Sequence, residues 1–443
     1  MGKLGELLLE KRIPKDDSYD VFVAGGGPAG CAAAAQAARG GAKVLLIEAT
    51  GSLGGMGTMG MVPAWCPMTD GQRVIYAGIA EEVYNRACEL YPHEIHGKDW
   101  TPIEPEGLKR TYDELVEGAG VDVLFCTTLA GVETADGHVE AVIVSNKSGL
   151  SAYSAKTYID ATGDGDLAAW AGAEYKFGDD ETHETQLATH CFSVANVEEN
   201  AYLDGPSLHF DHNPNSPIKQ WAEGNEYPHI VDKHFCQNLT TRGVVGFNAN
   251  HIYDVDATNP ASVSAAFFEG RKIAWSIADA LRKYVPAFRA SYIGETAPLM
   301  GIRESRRIMG DYELNAEDYY ARRSFPDEIS RCCYYIDIHT KKGSKGEIPR
   351  AESERREARY QAGESYGVPY RCLTPKGLDN VLVAGRCISC DRSILASVRI
   401  MPACLTTGQA AGAAAVLANG GDVHKVDADA LRAVLRRAGA YFK

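Results

Sequence analysis

The sequence predicts an α/β fold: a mostly parallel sheet with a second, α+β unit inserted into it. Three observations lead there. Residues 19–48 run from a short apolar stretch through a glycine-rich turn and an alanine-rich helix to a second apolar stretch. Residues 122–160 read as short strands separated by polar turns at Asp136-Gly137 and Ser148-Gly149. From about Glu174 to Tyr335 this pattern is lost, and an apolar strand followed by a small-residue helix returns at 381–417.

Composition narrows the class. The chain has 443 residues, 45% hydrophobic and 23% charged, with a net charge of −14, ordinary for a globular enzyme of more than one unit. That charge argues against nucleic-acid binding, which needs clustered Lys and Arg. No stretch reaches the ~18 apolar residues of a membrane helix. The first twenty residues lack an apolar export segment, so a cytoplasmic location is expected. The 12 cysteines are then expected to be reduced thiols rather than a disulfide framework.

The first elements can be justified residue by residue. Tyr19–Ala24 is apolar and rich in β-formers, as a buried parallel strand requires. Gly25, Gly27 and Gly30 spell G-x-G-x-x-G, with Pro28 and Ala29 between the last two. Cys31–Arg39 is the helix, Gly40-Gly41 ends it, and Lys43–Ile47 is the next strand. Glu48 closes that strand, with Ala49 beside it. Gly25 suits a tight turn, Gly27 close approach to a pyrophosphate, and Gly30 close helix packing. Glu48 suits a ribose diol. With all parts in register, a dinucleotide site is the reading. Gly55, Gly57 and Gly60 repeat the spelling, but no strand directly precedes them and 61–68 is no helix. One such site is therefore expected, with no separate nicotinamide module.

Three further motifs carry a family resemblance: "GSLGGMGTMGMV" after Glu48, "TYIDATGDGDLAAWAG" from Thr157, and "GLDNVLVAGRCIS…VRIMPACLTTGQAAGAAAVLA" from Gly377. With the opening motif they resemble the FAD-dependent oxidoreductase family of two-dinucleotide-binding-domain flavoproteins. That family is distantly similar to succinate dehydrogenase/fumarate reductase flavoproteins and to thiazole synthases. The resemblance implies FAD, a Rossmann-like FAD-binding domain with a small β-meander, and an inserted α+β substrate domain. It places Gly55, Met56, Gly57, Thr58 and Gly60 along the cofactor, Ala161-Thr162-Gly163 over its adenosine half, and the Leu129 backbone at the adenine. Gly385-Arg386 falls where relatives carry Gly-Asp, a departure. Arg399, Ile400, Met401 and Ala403, opening the last small-residue helix, fall at the flavin edge. The expected units are an extension (1–16), the FAD domain (17–173 and 336–423), a substrate domain (174–335) and a C-terminal helix (424–443).

Catalytic candidates come from the insert and its borders. Segments 301–318, 334–340 and 367–380 resemble family motifs and supply Arg303, His339, Tyr370 and Arg371. His339 is expected to end an apolar strand and move protons. Arg303 suits a substrate carboxylate, carbonyl or flavin anion, or else an ion pair with Glu304 or Asp311. Residues 350–359 read as a solvated helix face. Cys387 and Cys390 form C-x-x-C without a second ligand pair, so packing is expected and no metal site. The expected function is hydride transfer between a small organic substrate and flavin N5: dehydrogenation, alcohol oxidation or alkene reduction. An electron acceptor or donor of unidentified class follows from it, and self-association is left open. The alternatives are an electron-transfer subunit similar to heterodisulfide-reductase flavoproteins, whose Fe–S cysteine runs are missing, and a non-redox protein similar to thiazole synthases.

Overall fold

The computed structural model describes residues 10–91, 98–209, 213, 215–340 and 359–443. Most of the expected extension (1–9) and of the expected solvated helix face (350–358) lies outside the described residues.

Among the described residues, seven strands form one sheet. They are β1 (Lys15–Ala24), β2 (Val44–Ile47), β3 (Asp122–Leu124), β4 (Thr128–Ala135), β5 (His138–Asn146), β6 (Gly149–Asp160) and a late strand, Val381–Val383. Their order is β3-β2-β1-β6-β5-β4, with the late strand also on β6. β6 joins two kinds of sheet. Its C-terminal end pairs in parallel with β1 and the late strand, Ile159 facing Val23 and Leu382. Its N-terminal end pairs antiparallel with β5, Tyr153 opposite Val142. The parallel part is covered on both faces, so Val21–Ala24, Val44–Ile47 and Val381–Val383 are unbroken apolar runs, all buried.

The helix Pro28–Arg39 packs against the helix Met401–Ala418. A Cβ on Gly408 would lie 2.1 Å from the Ala29 carbonyl oxygen, and one on Gly412 would lie 2.2 Å from that of Ala33. Only glycine allows this approach. No single helix among the described residues is long and apolar enough to cross a membrane; Arg392–Val398 and Met401–Ala418 pass that test only as a pair bent by 94°.

A second core rests on other elements. β7 (Tyr175–Phe177) pairs antiparallel with the short strand Arg306–Ile308, whereas β8 (Phe192–Ala195), β9 (Phe235–Thr241), β10 (Val244–Ala249) and β11 (Tyr292–Thr296) form an antiparallel sheet ordered β11-β8-β10-β9. The helix Pro260–Tyr284 covers it, capped by the Asn259 side chain, which accepts from Ala261 and Ser262 N–H. Its buried residues Ala266, Gly270, Ile273, Ala274, Ile277 and Leu281 recur at helical spacing. This core draws on Ala188 to Met300. Ile308, Leu314, Tyr319 and Ile329, also inside the expected insert, pack in the first core.

One expected strand is absent. Residues 334–340 form no ladder. The His339 carbonyl accepts from Leu187 N–H (2.9 Å), and His339 N–H donates to the Gln186 side chain (3.3 Å), so a loop takes the backbone groups a neighbouring strand would have used.

Candidate active site

One cavity of about 1580 Å³ is lined by residues of both cores. Its first end is made largely of backbone. Gly25 turns at φ 95°, a left-handed value suited to glycine. A Cβ on Gly30 would strike the Gly25 carbonyl oxygen at 1.8 Å, so Gly30 is a packing glycine off the wall. A Cβ on Gly27 would meet nothing within 4 Å; it would fill the space a ligand needs to approach the chain. Gly27 is also the N-cap of the helix Pro28–Arg39, and no side chain caps that end. Its free N–H groups suit a pyrophosphate. Pro28, Ala29 and Ala49 share this wall.

Glu48 Oε2 accepts from Gly26 N–H and Oε1 from Thr50 N–H, both at 2.7 Å. Each oxygen keeps acceptor capacity for a ribose hydroxyl. Gly55 and Met56 line the cavity; Gly57, Thr58 and Gly60 stand behind them. The Thr58 hydroxyl is spent on the Leu53 carbonyl (2.7 Å), and a Cβ on Gly57 would hit Leu108 at 2.6 Å. Leu129, Ala161, Thr162 and Gly163 are on the wall. Thr162 N–H and hydroxyl both donate to Asp160, whose carboxyl is pushed up to about 6 by burial. Gly385 and Arg386 also line it. Arg386 donates to Asp164 (2.7 Å), which also lines the cavity, and to Ser305 (2.9 Å).

A second helix end opens on the same cavity. Ile400 is the N-cap of Met401–Ala418, again with no side-chain cap; Ile400 and Met401 are on the wall and Ala403 is buried behind it. Arg399 Nε is buried without a hydrogen-bond partner among the described residues. A glycine turn, a carboxylate, two uncapped helix ends and an orphaned guanidinium nitrogen fit a dinucleotide carrying an electron-accepting ring.

The second end is made of charged side chains. Arg303 donates to the carbonyl of Leu187 (2.8 Å), to the Thr189 hydroxyl, to His234 Nε2 (3.3 Å) and to Asn248 (3.4 Å). Burial, with Arg399 nearby, pushes it down to about 10. The expected alternative partners are engaged elsewhere: Glu304 with Arg307 (2.6 Å) and Arg392 (3.1 Å), Asp311 with His424 (2.6 Å). His339 Nε2 is 3.1 Å from Asp337 Oδ2, and its Nδ1 is 2.8 Å from His251 Nε2. Burial pushes His339 down to about 4, against the pull of Asp337. Burial alone would raise Asp337, but His339, Arg399 and Arg303 hold it well below the usual carboxylate range.

The structure brings Arg303, His339 and Arg399 together and leaves Arg371 and Tyr370 out. Neither of these lines the cavity. Both sit in the 3₁₀ turn Tyr370–Cys372; Arg371 bonds Asp327 (2.9 Å) and lies over the Tyr312 ring (5.0 Å), and the Tyr370 hydroxyl donates to the Val423 carbonyl (2.7 Å). Sequence reasoning missed Asp337, His234, His251 and Asp232. A signal existed: "VDKHF" and "IDIHT" repeat D-x-H, at 232–234 and 337–339.

A parallel sheet, a glycine turn under a helix end and an acid closing the second strand, all facing one cavity, define a dinucleotide-binding enzyme. The chain belongs to the FAD dependent oxidoreductase family, whose model matches residues 20–435, and FAD is its dinucleotide. Among solved structures it is similar to a geranylgeranyl bacteriochlorophyll reductase-like protein from Thermoplasma acidophilum (12% identity, 96% of this chain and 83% of that one, TM-score 0.44). It is also similar to the flavin-dependent brominase Bmp2 (13%, 95% and 83%, TM-score 0.45) and to THI4 of Thermovibrio ammonificans (21%, 35% and 64%, TM-score 0.28). No curated protein matches it.

Proposed function

We propose that the enzyme moves a hydride between flavin N5 and a small organic substrate bearing a carboxylate or carbonyl, by dehydrogenation, alcohol oxidation or alkene reduction. The supporting observation is the set Arg303, Arg399, Asp337 and His339 on the wall of the cavity that carries the glycine turn. Bound FAD supplies two-electron chemistry. The chain supplies the rest. Arg303 has no ion-paired carboxylate among the described residues, so its charge is available to a substrate oxygen. His339, neutral through burial, takes the proton of a hydroxyl or acidic C–H, and in the reverse direction returns it. Tyr334, Tyr335, Phe267 and Met300 line the cavity and give a substrate apolar surface to pack against. An acceptor or donor of unidentified class restores the flavin.

The test is spectroscopic. The purified protein should show the visible band of oxidised flavin, and an anaerobic panel of 2-hydroxy acids, saturated dicarboxylates and simple alcohols should contain a member that bleaches it. If dithionite bleaches the band and neither that panel nor, after reduction, a panel of enoates and keto acids changes it, the reading fails.

A further inference from the structure

We infer that Asp232, His251, His339 and Asp337 form a proton relay that carries a proton from the cavity wall to a carboxylate outside it. The inference rests on the hydride-transfer reading and deepens it. The four groups are joined end to end. Asp232 Oδ2 is 2.7 Å from His251 Nδ1, His251 Nε2 is 2.8 Å from His339 Nδ1, and His339 Nε2 is 3.1 Å from Asp337 Oδ2. Asp337 and His339 line the cavity; His251 and Asp232 do not. The Asp232 side chain is 21% exposed and meets the hydroxyl of the exposed Tyr253 at 3.4 Å. The chain of groups therefore starts at the substrate and ends at water.

Counting protons shows why it can move one. A neutral imidazole has one N–H and one lone pair. Three links between two carboxylates and two imidazoles need three protons, and two neutral imidazoles bring two. One link is therefore open, acceptor against acceptor. The longest link, 3.1 Å, is the one at the cavity. His251 Nδ1–H then donates to Asp232 and His339 Nδ1–H donates to His251. This leaves the His339 Nε2 lone pair bare beside Asp337. The surroundings keep the link open. Burial and Arg303 oppose charge on His251, His339 and the stacked His234. Arg399, 3.8 Å away, and the Tyr334 hydroxyl, 3.3 Å away, satisfy Asp337 without that proton.

A proton leaving the substrate closes the link. The substrate O–H or C–H bond breaks and an N–H bond forms at His339 Nε2. The His339 Nδ1 proton passes to His251 Nε2, and the His251 Nδ1 proton passes to Asp232 and on to water. One proton enters and one leaves; the substrate's electron pair departs with the hydride taken up by FAD. The open link then sits at Asp232; a proton entering there resets the chain when His339 Nε2 releases its own proton into the cavity, to the group that is reduced as the flavin is restored. His234, His251 and His339 each also place a ligand atom within 4.8 Å of the others, the pattern of a metal site. A divalent ion there would leave two positive charges uncompensated among Arg303, Arg399, Asp232 and Asp337, against one for the relayed proton.

The experiment uses FAD-loaded protein labelled with ¹⁵N-histidine. Near neutral pH both His251 and His339 should carry their proton on Nδ1, with His339 Nε2 bare. Asp232→Asn, which keeps an acceptor for His251, should preserve these tautomers and the flavin spectrum. It should slow anaerobic bleaching by the active panel member at least about tenfold; Asp232→Glu should recover most of the rate. A proton found on His339 Nε2, one equivalent of bound transition metal on the imidazoles, or an unchanged bleaching rate in Asp232→Asn would each overturn the relay. The tautomers are read without substrate, so a panel that bleaches nothing counts against hydride transfer while the spectrum still judges the relay.

Discussion

The two ends of the cavity are built on opposite principles. At the dinucleotide end the contacts are backbone groups and small side chains, set by Gly25, Gly27, two uncapped helix ends and the close approach of Gly408 and Gly412 to Ala29 and Ala33. At the other end they are ionisable side chains, Arg303, Asp337, His339 and Arg399, drawn from three separate segments of the chain. The packing glycines of the first end, Gly30, Gly408 and Gly412, tolerate no added atom, because carbonyl oxygens fill the space. The second tolerates changes of shape better than changes of charge, because its groups are defined by one another's proton and charge states.

The largest effect should come from adding atoms at the first end. Gly412→Leu places side-chain atoms where the Ala33 carbonyl stands, and the two helices must part. We expect a loss of about 3 kcal/mol or more, read by thermal unfolding, together with loss of the flavin band. A variant that retains FAD at wild-type stability would break the comparison. Next comes removal of charge at the second end. Arg303→Met preserves length and burial, so the flavin band should remain while kcat/KM falls about 10²- to 10³-fold. Loss of FAD with the fold intact would show instead that Arg303 belongs to the cofactor end.

The same contrast explains what the sequence revealed. From Gly25 to Glu48 every functional part lies within one strand–helix–strand unit, and local spacing alone brings the parts into register. The second end needs tertiary structure. His339 was legible only through a family motif, and Asp337, two residues away, was overlooked because one acid in a polar stretch carries no signal by itself. Tyr370 and Arg371 are close to the last flavin strand in sequence but not to the cavity in space; Asp327 and Val423 hold them elsewhere. The partner of Arg386 is not legible either, since nothing local shows that Asp164, 222 residues earlier, pairs with it.

A smaller effect separates the ends by pH. The unfolded chain protonates His339 near its ordinary value of 6.5, the folded one near about 4. Between those values the unfolded state binds more protons, so acid favours unfolding and stability rises with pH. Asp337, held low, adds a slope of the same sign as pH falls through and below the ordinary carboxylate range. Asp160, raised to about 6, contributes a slope of the opposite sign over nearly the same window, so the check is a difference: between about pH 4 and 6.5 melting temperature should rise more steeply with pH in the wild type than in His339→Asn, while the flavin band stays. A climb as steep in His339→Asn would assign it to other groups.

The smallest effect is expected at Cys387 and Cys390, the C-x-x-C that follows the late strand. Both thiols are fully buried and all described cysteines are free. Cys387 sits in a 3₁₀ turn and its Sγ–H donates to the Ala384 carbonyl (3.5 Å). Burial pushes both thiols up, so neither offers the thiolate that redox exchange requires. Replacing both by alanine should cost roughly 1 kcal/mol each through lost packing and leave the flavin band and bleaching rate within about twofold. A maleimide added to the native protein should reach the exposed Cys126 and spare these two until the chain unfolds. Reaction at Cys387 or Cys390 in the native state, or a bleaching rate that collapses with FAD still bound, would make this turn a third, thiol-based part of the site.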